Sequence, residues 1–95
     1  MRKGIKKAVK NKMTSRADVN IGKKGLTSSV LNEIDKRLDT NEIVKVRVLK
    51  SALAAEGIED RKQFARILAE KLKASLMEVR GYTVVLYRRR RRKTV

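Results

Sequence analysis

Gly22, Lys23, Lys24 and Gly25 place two cations between two residues that lack a Cβ, inside the stretch VNIGKKGLTSS at 19–29. A glycine lets an anion come close to the main chain, and a lysine beside it adds a mobile positive charge. A helix pattern begins directly after Gly25, so unpaired backbone N–H groups and the positive end of a helix dipole belong to the same spot. The chemistry on offer is the holding of a phosphodiester, with no bond made or broken. A nucleotide P-loop would need Lys and then Ser or Thr directly after the last glycine. Leu26 stands there instead. The GXXG loop that clamps nucleic-acid backbone fits the four residues. Taken alone they fit a plain glycine-assisted turn with exposed lysines equally well.

Other chemistry is scarce. The chain has no histidine and no cysteine, which removes disulfides, thiolate metal sites and the usual general bases. Glu33, Asp35 and Asp39 fall among Lys36 and Arg37 at helical spacing and read as a solvated face. The expectation is a protein that is not an enzyme, with no cofactor, no metal and no small-molecule substrate. Apolar runs are too short for a membrane span, and the basic start lacks the apolar stretch of a secretory signal, so a cytoplasmic protein is the default.

Charge points toward a partner. The 95 residues carry 26 Lys and Arg against 10 Asp and Glu, a net charge of +16. Arg2, Lys3, Lys6, Lys7, Lys10 and Lys12 precede the first acid, while Arg88, Arg89, Arg90, Arg91, Arg92 and Lys93 follow the last. The remaining 14 cations meet all 10 acids, which leaves the middle of the chain at only +4. A nearly balanced unit with cationic ends suits a polyanion, because each neutralised phosphate releases counterions. Solvated tails that only aid solubility are the plainer reading, though acids serve solubility better than six consecutive cations.

The elements that must position these residues follow from periodicity. Ile5, Val9 and Met13 recur every four residues and predict a basic helix over the first dozen positions, marginal in isolation. Residues 18–21 read as a short strand. Thr27 is the expected N-cap of a helix whose Val30, Leu31, Ile34 and Leu38 face inward, with Leu26 and Leu31 as hydrophobic staple. In EIVKVRVL, Val44, Val46 and Val48 point one way while Lys45 and Arg47 point the other, the signature of a half-buried strand. Residues 51–57 read as a loop or one helical turn closed by Gly57. Asp60 with Gln63 resembles a capping box and opens a helix facing inward through Phe64, Ile67, Leu68 and Leu72. LMEVR and TVVLYR, joined at Gly81 and Tyr82, predict a hairpin. The order predicts a two-layer α/β sandwich, (α)βαβαββ, with a four-stranded mixed sheet and parallel, right-handed crossovers.

VNIGKKGLTSSVLNEIDKRL, then EIVKVRVL, then VRGYTVVLYR resembles, in that order, the YhbY-like family, also called the CRM domain. The resemblance covers roughly residues 19–88. It implies an RNA-binding module similar in fold to the C-terminal domain of translation initiation factor three, with the GXXG loop toward RNA. Single-domain members look like assembly factors of the large ribosomal subunit. The chain departs from the pattern in a shorter, more basic start and in 51–59, which looks like an insertion. The expected division is a basic segment at 1–17, a CRM-like domain at 18–88 and a basic tail at 89–95. The expected RNA-binding residues are Gly22, Lys23, Lys24, Gly25, Thr27, Lys45, Arg47, Arg88, Arg89, Arg90, Arg91 and Arg92. The expected partner is structured ribosomal RNA in a pre-ribosomal particle, met by a monomer. With Phe64 assigned to the core and Tyr87 to the sheet, phosphate and shape should dominate binding over base stacking. The alternative is an architectural protein coating nucleic acid in the manner of Alba, which has a similar strand-helix order and a basic loop after its first strand. A turn at Gly81 too tight to form a long basic hairpin argues against it.

Overall fold

The alternation of Val44, Val46 and Val48 with Lys45 and Arg47 gives β2 (Ile43–Val48) two unlike faces, and the computed structural model, which describes residues 3–89, is organised around them. β1 (Val19–Ile21) pairs parallel with β2, setting Asn20 beside Arg47. β4 (Thr83–Tyr87) pairs antiparallel on the other side, and β3 (Ser75–Arg80) pairs antiparallel with β4 at the edge. The sheet order is therefore β1-β2-β4-β3, in which β3 runs parallel to β2 with β4 between them. The mixed sheet and the parallel sense of both crossovers match the sequence expectation.

The valine face is covered by α2 (Ser28–Asn41) and α4 (Arg61–Lys71). Ile34, Leu38, Phe64 and Leu68 are fully buried against Val44, Val46 and Leu86. Thr27 caps α2 as predicted, its hydroxyl accepting the Val30 N–H at 3.1 Å, and Asp60 caps α4 by accepting the Lys62 N–H at 3.0 Å. Residues 50–58 are more ordered than the sequence implied. They form α3 (Lys50–Ala55), which buries Ala52 and Leu53 in the core and ends at Gly57, φ +67°. The N–H groups of Gly57 and Ile58 close the helix onto Ala54 and Leu53 carbonyls at 3.1 and 2.9 Å, a Schellman ending. A stretch with only two inward positions gives too little periodicity to reveal such a helix beforehand. What resembled an insertion is thus built into the core.

The other face belongs to α1 (Lys3–Thr14), so helices flank the sheet on both sides. Val9 and, on β4, Val85 are buried there. Lys45 fastens the helix end: its ammonium donates to the Met13 carbonyl at 2.6 Å and the Ser15 carbonyl at 2.5 Å. Asp18 completes the joint by accepting the Lys45 N–H at 2.9 Å and pairing with Lys12 at 2.8 Å. The basic start is held by tertiary contacts rather than by propensity. Position 17 is consequently not a structural boundary.

Arg88 corrects a second expectation. It follows β4 and its side chain is 9% exposed, turned away from solvent. One guanidinium nitrogen donates to Asp35 Oδ1 and to the Leu72 carbonyl, both at 2.7 Å; the other donates to the Asp35 carbonyl at 3.0 Å and Asp39 Oδ1 at 2.9 Å. The planar fork ties α2, the end of α4 and β4 together, which a lysine could not do. Asp35 and Asp39, read with Glu33 as a solvated face, meet this guanidinium one helical turn apart. Replacing Arg88 by Ala should cost about 1–3 kcal/mol, chiefly because the buried Leu72 carbonyl loses its donor. For a domain of this size that lowers the thermal midpoint by roughly 4–8 °C per kcal/mol. A chain shortened to end at Arg88 should unfold within a few degrees of the full chain, and differential scanning calorimetry separates the two outcomes.

Candidate nucleic-acid interface

Ile21 ends β1, and the chain reverses at once: the Gly25 N–H donates to the Gly22 carbonyl at 3.0 Å, closing a β-turn with Lys23 and Lys24 at its two central positions. Central residues of a turn point away from the body they connect. Both lysines are exposed, whereas Gly25 is buried. The turn therefore holds two ammonium groups outward beside the start of α2.

The two glycines have different reasons. Gly25 has φ +75°, and a Cβ there would collide with the Glu56 carboxylate and stand 3.2 Å from the Ala55 Cβ. Gly22 has no such constraint, since a Cβ would meet nothing within 4 Å. Glu56, at the end of α3, accepts the Leu26 N–H at 2.9 Å. The helix start is thus less open to an anion than its sequence suggests. A carboxylate occupies the Leu26 N–H, the Thr27 hydroxyl occupies that of Val30, and the Thr27 N–H turns back to the Gly25 carbonyl at 3.1 Å. Thr27 serves as a cap; the outward side of the turn is left to Gly22, Lys23 and Lys24.

The same end of the sheet carries further cations. The Leu49 N–H donates to the Ile21 carbonyl at 2.9 Å, drawing Lys50 and the start of α3 toward the turn. Across the α1 face, register aligns Asn20 with Arg47 and Arg47 with Thr83. Next along β2 on that face, Lys45 lies beneath the end of α1, but the Asn20-Arg47-Thr83 row does not. There a groove of about 640 Å³ opens, lined by Asn20, Lys45, Arg47, Tyr82 and Thr83 together with residues 15–17, Arg16 among them.

Of the expected contact residues, the fold brings Gly22, Lys23, Lys24, Gly25 and Thr27 into one turn and places Arg47 at the same sheet end. Lys45 has its ammonium engaged by carbonyls, and Arg88 has its guanidinium inside the fold. Arg89 is exposed, and Arg90, Arg91 and Arg92 lie outside the described residues. Sequence reasoning passed over Arg16, Asn20, Tyr82 and Thr83. Asn20 had a signal, being the outward residue between Val19 and Ile21. Among the described residues no cluster of acids could hold a metal, and no helix is long and apolar enough to cross a membrane.

Fold and topology together define a small α/β module built on a four-stranded mixed sheet. The chain belongs to the CRS1/YhbY (CRM) domain family, whose model matches residues 2–88 and so takes in α1 and α3 as well as the stretches that carried the resemblance. A probable RNA-binding protein of Methanocaldococcus jannaschii is 34% identical over 70 residues, 74% of this chain and 49% of that protein. An RNA-binding protein of Haemophilus influenzae is 33% identical over 70 residues, 74% of this chain and 66% of its own length. The chain thus spans about half of the archaeal relative and 66% of the bacterial one. A solution structure of a candidate RNA-binding protein from Staphylococcus aureus matches with a TM-score of 0.70 at 27% identity, covering 99% of this chain and 95% of that one.

The glycines can be told apart by experiment. Gly25→Ala should destabilise the fold by about 1–2 kcal/mol through its left-handed backbone alone, and by more through Glu56. Gly22→Ala should leave the thermal midpoint within a few degrees, as an unencumbered surface change does. Thermal unfolding followed by circular dichroism measures both.

Proposed function

We propose that the chain binds structured RNA through the 22–25 turn and the cationic sheet end beside it, without chemistry of its own. The observation that carries this reading is the β-turn that holds Lys23 and Lys24 outward, with an unobstructed Gly22 between them and the sheet. The net charge of +16 and the RNA-binding names of its relatives support the same partner. The resemblance noted from the sequence supports a narrower role: a cytoplasmic, monomeric assembly factor that meets ribosomal RNA in a precursor of the large subunit. Exposed Arg89 and the arginines after it add phosphate contacts that are indifferent to sequence.

Binding of this kind favours irregular backbone over a uniform duplex, because a single projecting turn is best met by phosphates that a bulge or loop brings together. Replacing Lys23 and Lys24 with Asp keeps both glycines and reverses two charges. RNA affinity should fall on the order of tenfold or more while the thermal midpoint holds, and the slope of log K against log salt should flatten by about 0.7 to 0.9 per lost contact. Fluorescence anisotropy across a salt series reads both quantities. A folded double-Asp protein that binds as tightly as wild type sinks the proposal.

Glu56 gives the turn a second test. Glu56→Gln keeps an oxygen to accept the Leu26 N–H but removes a negative charge from beside the bound phosphate. Affinity for the same RNA should rise a few-fold at low salt, and the gain should shrink as salt screens it.

A further inference from the structure

We infer that the groove over Asn20, Arg47 and Thr83 holds one unpaired nucleotide of the RNA whose backbone the 22–25 turn engages. The inference rests on that reading of the turn and extends it from phosphate holding to a base-sized site. Three polar side chains lie abreast on β1, β2 and β4, in register, at the strand spacing of about 4.8 Å. They floor a groove of about 640 Å³, within the roughly 300–1,000 Å³ typical of small-ligand sites. Its lining contains no carboxylate.

The chemistry of the lining selects the ligand class. Arg16 and Arg47 are exposed, and neither is in an ion pair among the described residues, so two guanidinium groups stand ready for phosphate oxygens. Lys45, by contrast, is committed to the Met13 and Ser15 carbonyls and acts as a fixed wall. Asn20 offers an amide that both donates and accepts, and Thr83 a hydroxyl that does the same, the groups needed to meet a base edge or a ribose 2′-OH. Tyr82 rims the groove and is 37% exposed, although the chain has only three aromatic residues. Its carbonyl accepts the Val48 N–H at 2.8 Å, so its backbone is pinned while its ring is left at the surface.

An exposed aromatic ring beside two free guanidinium groups is what a base with its phosphates requires. A duplex conceals the faces of its bases, so the nucleotide must be unpaired. Position fits as well. Asn20 precedes Gly22 by two residues, about 7 Å along a strand, within reach of neighbouring nucleotides of one chain.

The test uses the full chain and two RNA probes: a blunt hairpin, and the same hairpin extended by four unpaired nucleotides carrying a fluorescent adenine analogue. Wild type should bind the extended hairpin roughly tenfold more tightly and quench the analogue as it stacks. Tyr82→Ala should abolish both the gain and the quenching, Tyr82→Phe should keep both, and Arg47→Gln should reduce the gain and the salt slope for the extended probe only. Lys23→Asp with Lys24→Asp should weaken both probes alike. No gain from the extension, or a gain and quenching that survive Tyr82→Ala, overturns the groove. Loss confined to the Tyr82 and Arg47 variants, with the double-Asp protein binding normally, overturns the turn and leaves the groove standing.

Discussion

The strict alternation along β2 is the constraint on which the rest of the molecule depends. Its valines supply the surface that α2 and α4 cover, and burying them orders most of the core. The intervening Lys45 and Arg47 cannot be buried without partners. One finds them in the carbonyls that end α1, and the other stays in solvent. A shift of one residue in register would exchange the two sets and leave neither face workable. The half-covered, half-open polar face is thus the direct counterpart of a fully covered apolar one.

Three carboxylates then decide how charge is displayed. The Glu56 contact with the Leu26 N–H fixes the turn from behind and neutralises part of the helix start. What remains attractive to an anion is the outer rim, Lys23 and Lys24. On the far side of α2, Asp35 and Asp39 take one arginine out of a run of five and hold it inside. Acids spaced by a helical turn thereby separate the scaffold from the cations that follow it.

The fold was legible in the sequence where a short-range rule governs: the caps at Thr27 and Asp60, the valine alternation, and the hairpin at Gly81 all lie within a few residues of their causes. The turn was legible as a pattern, but the separate reasons for its glycines were not, because Glu56 stands thirty residues from Leu26. Arg88 looked like its neighbours for the same reason, since the partners that distinguish it are 49 and 53 residues away. The docking of α1 was hidden too: a basic helix with three apolar positions shows no partner until Lys45 is seen beneath its end. Local chemistry gave the elements, and the long-range ion pairs gave the meaning of individual cations.

One topological detail bears on how the chain comes to exist. β4 follows every other strand in the chain yet lies inside the sheet, where Val44 meets Leu86. During synthesis α1, β1, α2 and β2 all emerge before β4, and until the hairpin arrives β2 presents an open flank of unsatisfied N–H and C=O groups. Such a flank invites the β2 of another nascent copy. Antiparallel pairing of two such strands would bring lysines and arginines face to face, a like-charge clash that disfavours the dimer. The cations that anchor α1 and floor the groove would therefore also guard the half-made sheet, keeping its flank free for the strand that completes it.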